Sequence, residues 1–295
     1  MTAAMEKLVL LDGATGSELD RRGVDVSMPL WSARAMDDAP DILQSVHQEY
    51  LDAGADAVIT NTFRTHERSL AKSGLGAHAE RLTRSAVDIA RAACLATKPE
   101  AMVLGGIAPL EDCYSPELAP DAETSRREHG RIIEHFLGAS ADLVLLETMC
   151  SSIEAMAAAD VAAELAPDCW AISFCLQAQG EPGMLLDGTR LADLIDRLDA
   201  PCFIGINCVG AGRMLSEVTH LRGLLGDGLP IAAYGNVGHA DEEGGWVNTD
   251  AVDPERYADH AMEWLGAGAD IIGGCCGTRP STIEAIRRRM SITRR

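Results

Sequence analysis

Leu51-Asp52-Ala53-Gly54-Ala55-Asp56-Ala57-Val58-Ile59 has two echoes further along the chain. They are Leu137-Gly138-Ala139-Ser140-Ala141-Asp142-Leu143-Val144-Leu145 and Leu265-Gly266-Ala267-Gly268-Ala269-Asp270-Ile271-Ile272. Each copy reads as the last turn of a helix, a small-residue cap and a buried strand. Gly54 and Gly268 stand where such a cap wants a left-handed residue, and Ser140 takes the place in the middle copy. Ten residues beyond each opening leucine stand Asn61, Glu147 and Cys275. A repeated helix–loop–strand unit therefore carries a different polar residue to the same end of each strand.

Outward from these copies, eight apolar runs are expected as strands: 8–11, 57–60, 102–107, 143–146, 170–176, 202–206, 230–234 and 271–274. Helical periodicity fills the gaps, from about Asp41, over 78–96, 123–137, 191–198 and 213–225, and after Asp253-Pro254, an N-cap followed by an N1 proline. Ser151-x-x-Glu154 and Ser281-x-x-Glu284 have capping-box spacing. The Pro-rich connection 108–121 is too long for a tight turn and reads as a covering loop. Continuous apolar strands alternating with helices mean a parallel sheet covered on its faces. Eight such units predict an α/β fold of the (β/α)8 TIM-barrel type, as a single domain over 1–295.

The composition agrees with a globular chain: 47% hydrophobic and 24% charged residues. With 25 basic against 45 acidic residues the net charge is −20, which opposes nucleic-acid binding, a property that relies on Lys and Arg. No run approaches the roughly 20 apolar residues of a membrane span, and no signal peptide is evident, so a cytoplasmic address is expected. Nine cysteines in 295 residues are too sparse for a disulfide framework and point to buried thiols, nucleophiles or metal ligands.

Barrels of this kind carry their chemistry at the carboxyl ends of the strands. The polar residues expected there are Asp12, Asn61, Glu147, Cys208, Asn236, Cys275 and Cys276. Neighbouring side chains on a strand point to opposite faces, so Cys275 and Cys276 share one target only if the strand ends there; Gly273, Gly274 and Gly277 permit that. Three thiolates leave the fourth tetrahedral position of zinc open, the arrangement of a catalytic site, and soft sulfur disfavours magnesium and calcium. A redox-active vicinal pair and a cysteine nucleophile are the other readings, the nucleophile without a compelling base, since His239 after strand seven is more often a loop histidine.

Asp12-Gly13-Ala14-Thr15-Gly16, Thr60-Asn61-Thr62-Phe63, Glu147-Thr148, Gly205-Ile206-Asn207-Cys208 and Gly273-Gly274-Cys275-Cys276-Gly277-Thr278 together resemble the homocysteine S-methyltransferase family, from about Leu8 to Arg288. The resemblance implies a barrel in which Cys208, Cys275 and Cys276 hold Zn2+. It implies that Asp12 and Glu147 receive the ammonium of homocysteine, and that amides near Gly13 and Ala14 receive its carboxylate. Asn61 and Asn236 complete the expected substrate-binding set, and Glu147 and Asp12 are the expected catalytic pair. The activity implied is methyl transfer from a small sulfonium or ammonium donor to homocysteine, giving methionine.

Two loops, 105–116 and Tyr234-Gly235-Asn236, depart from the S-methylmethionine branch and leave the donor open among S-methylmethionine, S-adenosylmethionine and betaine. Trp31, Tyr114 and Trp246 are candidate walls for a methylated cation, and Cys113 reads as a spare loop thiol. The alternatives are a thiol-binding zinc module served by a separate corrinoid protein, and a barrel methylating a different thiol or selenol.

Overall fold

The computed structural model describes residues 9–240 and 246–293. Seven parallel strands form one sheet in the order β1 (Ala57–Ile59), β2 (Met102–Ile107), β3 (Leu143–Met149), β4 (Trp170–Phe174), β5 (Ile204–Gly210), β6 (Ile231–Asn236) and β9 (Ile271–Gly274). A short antiparallel hairpin, β7 (Gly238–Ala240) with β8 (Trp246–Asn248), is inserted after β6. The helices in chain order are α1 (Thr15–Arg21), α2 (Ala35–Asp38), α3 (Pro40–Asp52), α4 (Glu67–Ala71), α5 (Ala79–Thr97), α6 (Ala122–Gly138), α7 (Ser152–Leu165), α8 (Ala192–Ile195), α9 (Ala211–Leu225), α10 (Pro254–Gly266) and α11 (Pro280–Thr293).

Every residue of β2, β3 and β4 is buried, as strands covered on both faces require. Leu11, Leu104, Leu143, Leu145, Phe203 and Ile271 belong to a small inner cluster, while Val144, Leu146 and Ile172 pack with the helices in the larger outer one. This alternation is that of a filled α/β barrel, the predicted class.

Four expectations change. The first run is a single parallel bridge at Leu10 rather than a strand, and Leu8 lies outside the described residues. It still closes the barrel: Leu11 N–H donates to Ile272 O (2.7 Å) on one side, and Asp56 N–H to Leu10 O (2.7 Å) on the other. The Ser151–Glu154 capping box does not form, because Glu154 is drawn away to accept from Leu110 N–H (2.7 Å) and to meet His129 Nε2 (2.9 Å). At the last helix Ser281 lies inside α11, and Thr282 Oγ1 is the acceptor for Arg279 N–H (3.2 Å). The helix expected over 191–198 shortens to one turn, α8.

The repeat acquires a physical meaning in the fold. Gly54, Ser140 and Gly268 all take positive φ, 108°, 60° and 104°, ending their helices as read. Two residues on, each copy's aspartate clips the neighbouring strand at two points. Asp142 donates its N–H to Val103 O (2.9 Å) and accepts Val103 N–H on Oδ2 (2.7 Å). Asp270 does the same to Ile231 (2.8 and 2.9 Å), and Asp56 to Leu10 (2.7 and 3.0 Å). A cation from a flanking helix backs each carboxylate: Arg91 on Asp142, Arg222 on Asp270, and Lys98 with Arg287 on Asp56. The clips fix strand height at the amino end, and so the height of the rim residues five positions later.

Asp56 matters most, because it holds the closing segment. Burial acts to raise its pKa, but the bonds from Lys98 and Arg287 outweigh that and hold it below the usual carboxylate value. A carboxylate with a lowered folded pKa contributes stability above its unfolded pKa of about 3.9 and loses it as pH falls through the folded value. Asp56→Ala is expected to destabilise the protein by about 2 kcal/mol at neutral pH, since two backbone donors lose their acceptor and the two cations are partly solvated. Chemical denaturation should show the gap to wild type constant above about pH 5 and shrinking below about pH 4; a gap that does not shrink in acid means the carboxylate charge is not what closes the seam.

Candidate active site

Cys208 lies within β5, where the pairing with β6 slips register between Asn207 and Gly210, and it adopts φ 54°. The slip turns its thiol toward the barrel mouth. Cys275 and Cys276 follow the last residue of β9, so the strand has ended before the doubled cysteine begins. Gly277 then turns at φ 81°, and Thr278 Oγ1 donates back to Cys275 O (2.7 Å), folding the pair into a turn. The alternation that would separate two neighbouring strand residues therefore does not apply. All three Sγ atoms lie within 4.8 Å of one another, and Cys208 Sγ is 2.8 Å from Cys275 Sγ, with all three cysteines free.

Two asparagines hold this arrangement. Asn236 donates from Nδ2 to Cys208 O (3.0 Å) and accepts Cys276 N–H on Oδ1 (3.1 Å), joining the two sulfur-bearing loops. Asn207 accepts Thr148 N–H (2.9 Å) and Ser173 Oγ–H (2.8 Å) on Oδ1, and donates to Thr148 Oγ1 (2.8 Å). Thr148, at φ 61°, sits on a second register slip, between β3 and β4. Asn207 thus fastens the strand end that carries Glu147 to the one that carries Cys208.

A cavity of roughly 340 Å³ opens over the sulfurs, walled by Glu147, Asn61, Trp31, Phe63, Arg64 and Tyr114, with Gly13 and Ala14 beside α1. Glu147 is 9% exposed and its carboxylate has no hydrogen bond among the described residues. Gly106 makes room for it, since a Cβ there would lie 2.5 Å from Glu147 Oε1. Burial, and after it the negative charge on Cys276, pushes Glu147 up to about 8. Among the three thiols Cys276 is the one held low, by hydrogen bonds from Cys208 and then Cys275.

The predicted residues divide by position. The three cysteines, Glu147, Asn61, Gly13 and Ala14 share the cavity. Asn61 Nδ2 is already bonded to Ser32 O (2.7 Å), and Ala14 N–H to Thr278 Oγ1 (3.1 Å). Asp12 is fully buried behind the wall: Oδ2 accepts Ile59 N–H (3.0 Å), and Oδ1 has no partner. Burial raises its pKa, opposed by the Ile59 bond and reinforced by Glu147. His47 Nδ1 is 4.0 Å from Asp12, but burial pushes that histidine down to about 4, so it brings no charge. Asn236, expected at the substrate, has both amide atoms on backbone and stands behind the sulfurs. Trp246 is away from the cavity, half-exposed on β8, with Nε1–H on Asn248 Oδ1 (2.9 Å). Cys113 lines the cavity with its thiol pushed up to about 12 by burial, a neutral wall group. Sequence reasoning passed over Arg64; its signal was a lone cation directly after the rim motif Thr60-Asn61-Thr62-Phe63.

Residues 9–290 match the family model described as homocysteine S-methyltransferase. The chain belongs to that family. It is 33% identical over 303 residues to the homocysteine S-methyltransferase of Escherichia coli K12, covering 96% of each chain. It is 27% identical to a selenocysteine Se-methyltransferase of Brassica oleracea var. italica, over 95% of this chain and 88% of that one. Among solved structures, the metallated form of the homocysteine methyltransferase MmuM from E. coli superposes with a TM-score of 0.82 at 31% identity, over 97% of this chain and 98% of that one.

Groups that orient metal ligands typically change affinity 10–100-fold when removed. Asn236→Ala is expected to lower divalent-metal affinity by roughly 10–100-fold, read by competition with a chromophoric chelator, alongside a loss of about 1–3 kcal/mol of stability from its two buried backbone bonds. Unchanged affinity would show that the two cysteine loops keep their spacing without this amide.

Proposed function

We propose that this protein is a zinc-dependent homocysteine S-methyltransferase, drawing its methyl group from a small onium donor to form methionine. The observation that carries the reading is the sharing of one cavity by three thiols and an unpaired buried carboxylate. The thiols fit a zinc ion by chemistry and by spacing. At Zn–S distances of about 2.3 Å, sulfurs at tetrahedral corners are about 3.8 Å apart, inside the 4.8 Å limit of the Cys208–Cys275–Cys276 cluster. Cys208, Cys275 and Cys276 would hold the ion, and the chemistry it would supply is a substrate thiolate at neutral pH, where a free thiol with pKa near 8.5 is mostly protonated.

The protein's own groups do the rest. Glu147 receives the ammonium of homocysteine, with the spare Oδ1 of Asp12 as the second carboxylate behind it; a desolvated ammonium needs such partners. Gly13, whose N–H has no partner among the described residues, is the amide available to the substrate carboxylate; the Ala14 N–H is occupied by Thr278. Trp31 and Phe63, edge to face with centroids 5.4 Å apart, offer aromatic surface to a methylated cation. The homocysteine sulfur attacks the donor methyl carbon in line. The new S–C bond forms as the donor's C–S or C–N bond breaks, and its electron pair stays on the donor, which leaves neutral. Holding the two reactants in register supplies much of the acceleration.

Protein purified without added zinc is expected to contain about one ion per chain, and Cys275→Ser to lose it together with at least roughly 100-fold of methyl transfer. A donor panel of S-methylmethionine, S-adenosylmethionine and betaine with homocysteine, followed by methionine formation, tests the rest. Turnover with any one of them alone removes the need for a corrinoid partner. A Cys275→Ser variant that keeps both zinc and activity would sink the site assignment, and strong preference for a selenol acceptor would move the substrate toward that of the Brassica relative.

A further inference from the structure

Arg64 is the cation that this site does not yet explain. It lines the cavity, is 7% exposed, and has no carboxylate within ion-pair distance among the described residues. Nη1 donates to Glu111 O (3.0 Å), Nε is buried without a partner, and the guanidinium lies 5.5 Å from the Phe63 ring centroid. The Glu111 carboxylate is taken, paired with Arg68 (3.2 Å) and Lys72 (2.5 Å), and Asp112, the next acid on that loop, is exposed and forms no ion pair with Arg64. A buried guanidinium with donors left over is costly unless an anion completes it.

The geometry points to Arg64 as the receptor for the carboxylate of the methyl donor, so that the donor is a carboxylate-bearing sulfonium or ammonium compound. This rests on the methyltransferase reading and assigns the contact that would hold its donor; S-methylmethionine, S-adenosylmethionine and betaine all carry the carboxylate it requires. A planar, forked cation matches a carboxylate better than any other anion a methyl donor carries. The cavity is also polarised the right way. Glu147 and the cysteine sulfurs are on its acidic side, and Arg64 is its buried cation. A zwitterionic donor placing its carboxylate on Arg64 presents its onium methyl toward the sulfurs, whereas a donor without the carboxylate meets an uncompensated positive charge.

Binding calorimetry on the zinc-loaded protein tests this without relying on turnover. The ligands are S-methylmethionine, its carboxylate-free counterpart (3-aminopropyl)dimethylsulfonium, and homocysteine. Wild type is expected to bind S-methylmethionine at least about tenfold more tightly than the carboxylate-free compound, the size of one charge-assisted contact. Arg64→Gln should bring the two within about threefold by weakening only the carboxylated donor, with homocysteine unchanged, and Arg64→Lys should fall between. Were Arg64 merely a tether for the loop at Glu111, its loss would weaken both sulfonium compounds alike. That result, equal binding of the two by wild type, a preference that survives in Arg64→Gln, or a loss confined to homocysteine each overturns the proposal. The two-ligand comparison on wild type decides even if the glutamine variant does not fold. Homocysteine binding without any sulfonium binding refutes the Arg64 assignment alone; failure to bind either refutes the methyltransferase reading with it.

Discussion

Three sulfurs from strand ends 67 residues apart must share a sphere small enough for one ion, and the rest of the site follows from that demand. Thiolates brought together in a buried place repel one another, so the backbone has to hold them. It does so at positions no relaxed strand adopts: Cys208 at φ 54° and Gly277 at φ 81°. A left-handed non-glycine residue costs of order 1–3 kcal/mol, and such strain persists only where surrounding bonds over-determine it. Asn236 and Asn207 are those bonds, each with both ends of its amide engaged. Because Asn207 also grips Thr148, the Glu147 carboxylate is placed by the same amide that steadies the strand end carrying Cys208. The position of the buried carboxylate and the spacing of the sulfurs are therefore one mechanical unit.

That unit depends on strand height. The aspartate clips to Leu10, Val103 and Ile231 fix the amino ends of β1, β3 and β9, and in strands rising about 3.3 Å per residue the polar rim residues then fall at matching levels. Both ends of this device were written in the repeat. The rim end was legible, because a ten-residue spacing from a leucine is a local pattern, and it placed Asn61, Glu147 and Cys275 on the working face. The clip end was visible only as a recurring aspartate. Its function lies in a bond to a strand up to 46 residues away, and nothing local announces that.

The same distinction separates the other successes and misses. The cysteine triad could be read because thiols at strand ends have few structural uses. The first barrel position was read as a strand but is one bridge, since its partner on the β1 side is a pair of carboxylates, Asp56 on Leu10 and Asp12 on Ile59, rather than a backbone ladder. Glu154 satisfied the capping spacing and was captured instead by Leu110 and His129, two tertiary partners that outbid a local bond. Asn236 was placed at the right end of the right strand, yet its amide faces protein on both sides. Residue type and height were legible; the direction of a side chain, which depends on neighbours far away in sequence, was not.

Arg64 extends that point to charge. A chain with net charge −20 has acidic groups to spare, and Arg68 finds two of them, Glu111 and Glu128. Arg64, four residues earlier, lies buried with its Nε unmatched. Desolvating a cation is unfavourable in any fold, and a counter-anion arriving from outside offsets that cost. Glu147 presents the mirror image, a buried carboxylate without a cation, on the same cavity. A buried guanidinium without an anion and a buried carboxyl without a cation each call for a ligand group of opposite charge. An amino-acid thiol answers the carboxylate and a carboxylate-bearing onium donor answers the guanidinium. With each reactant anchored by the charge it complements, the thiol of one and the methyl of the other are left to meet between them, over the sulfurs.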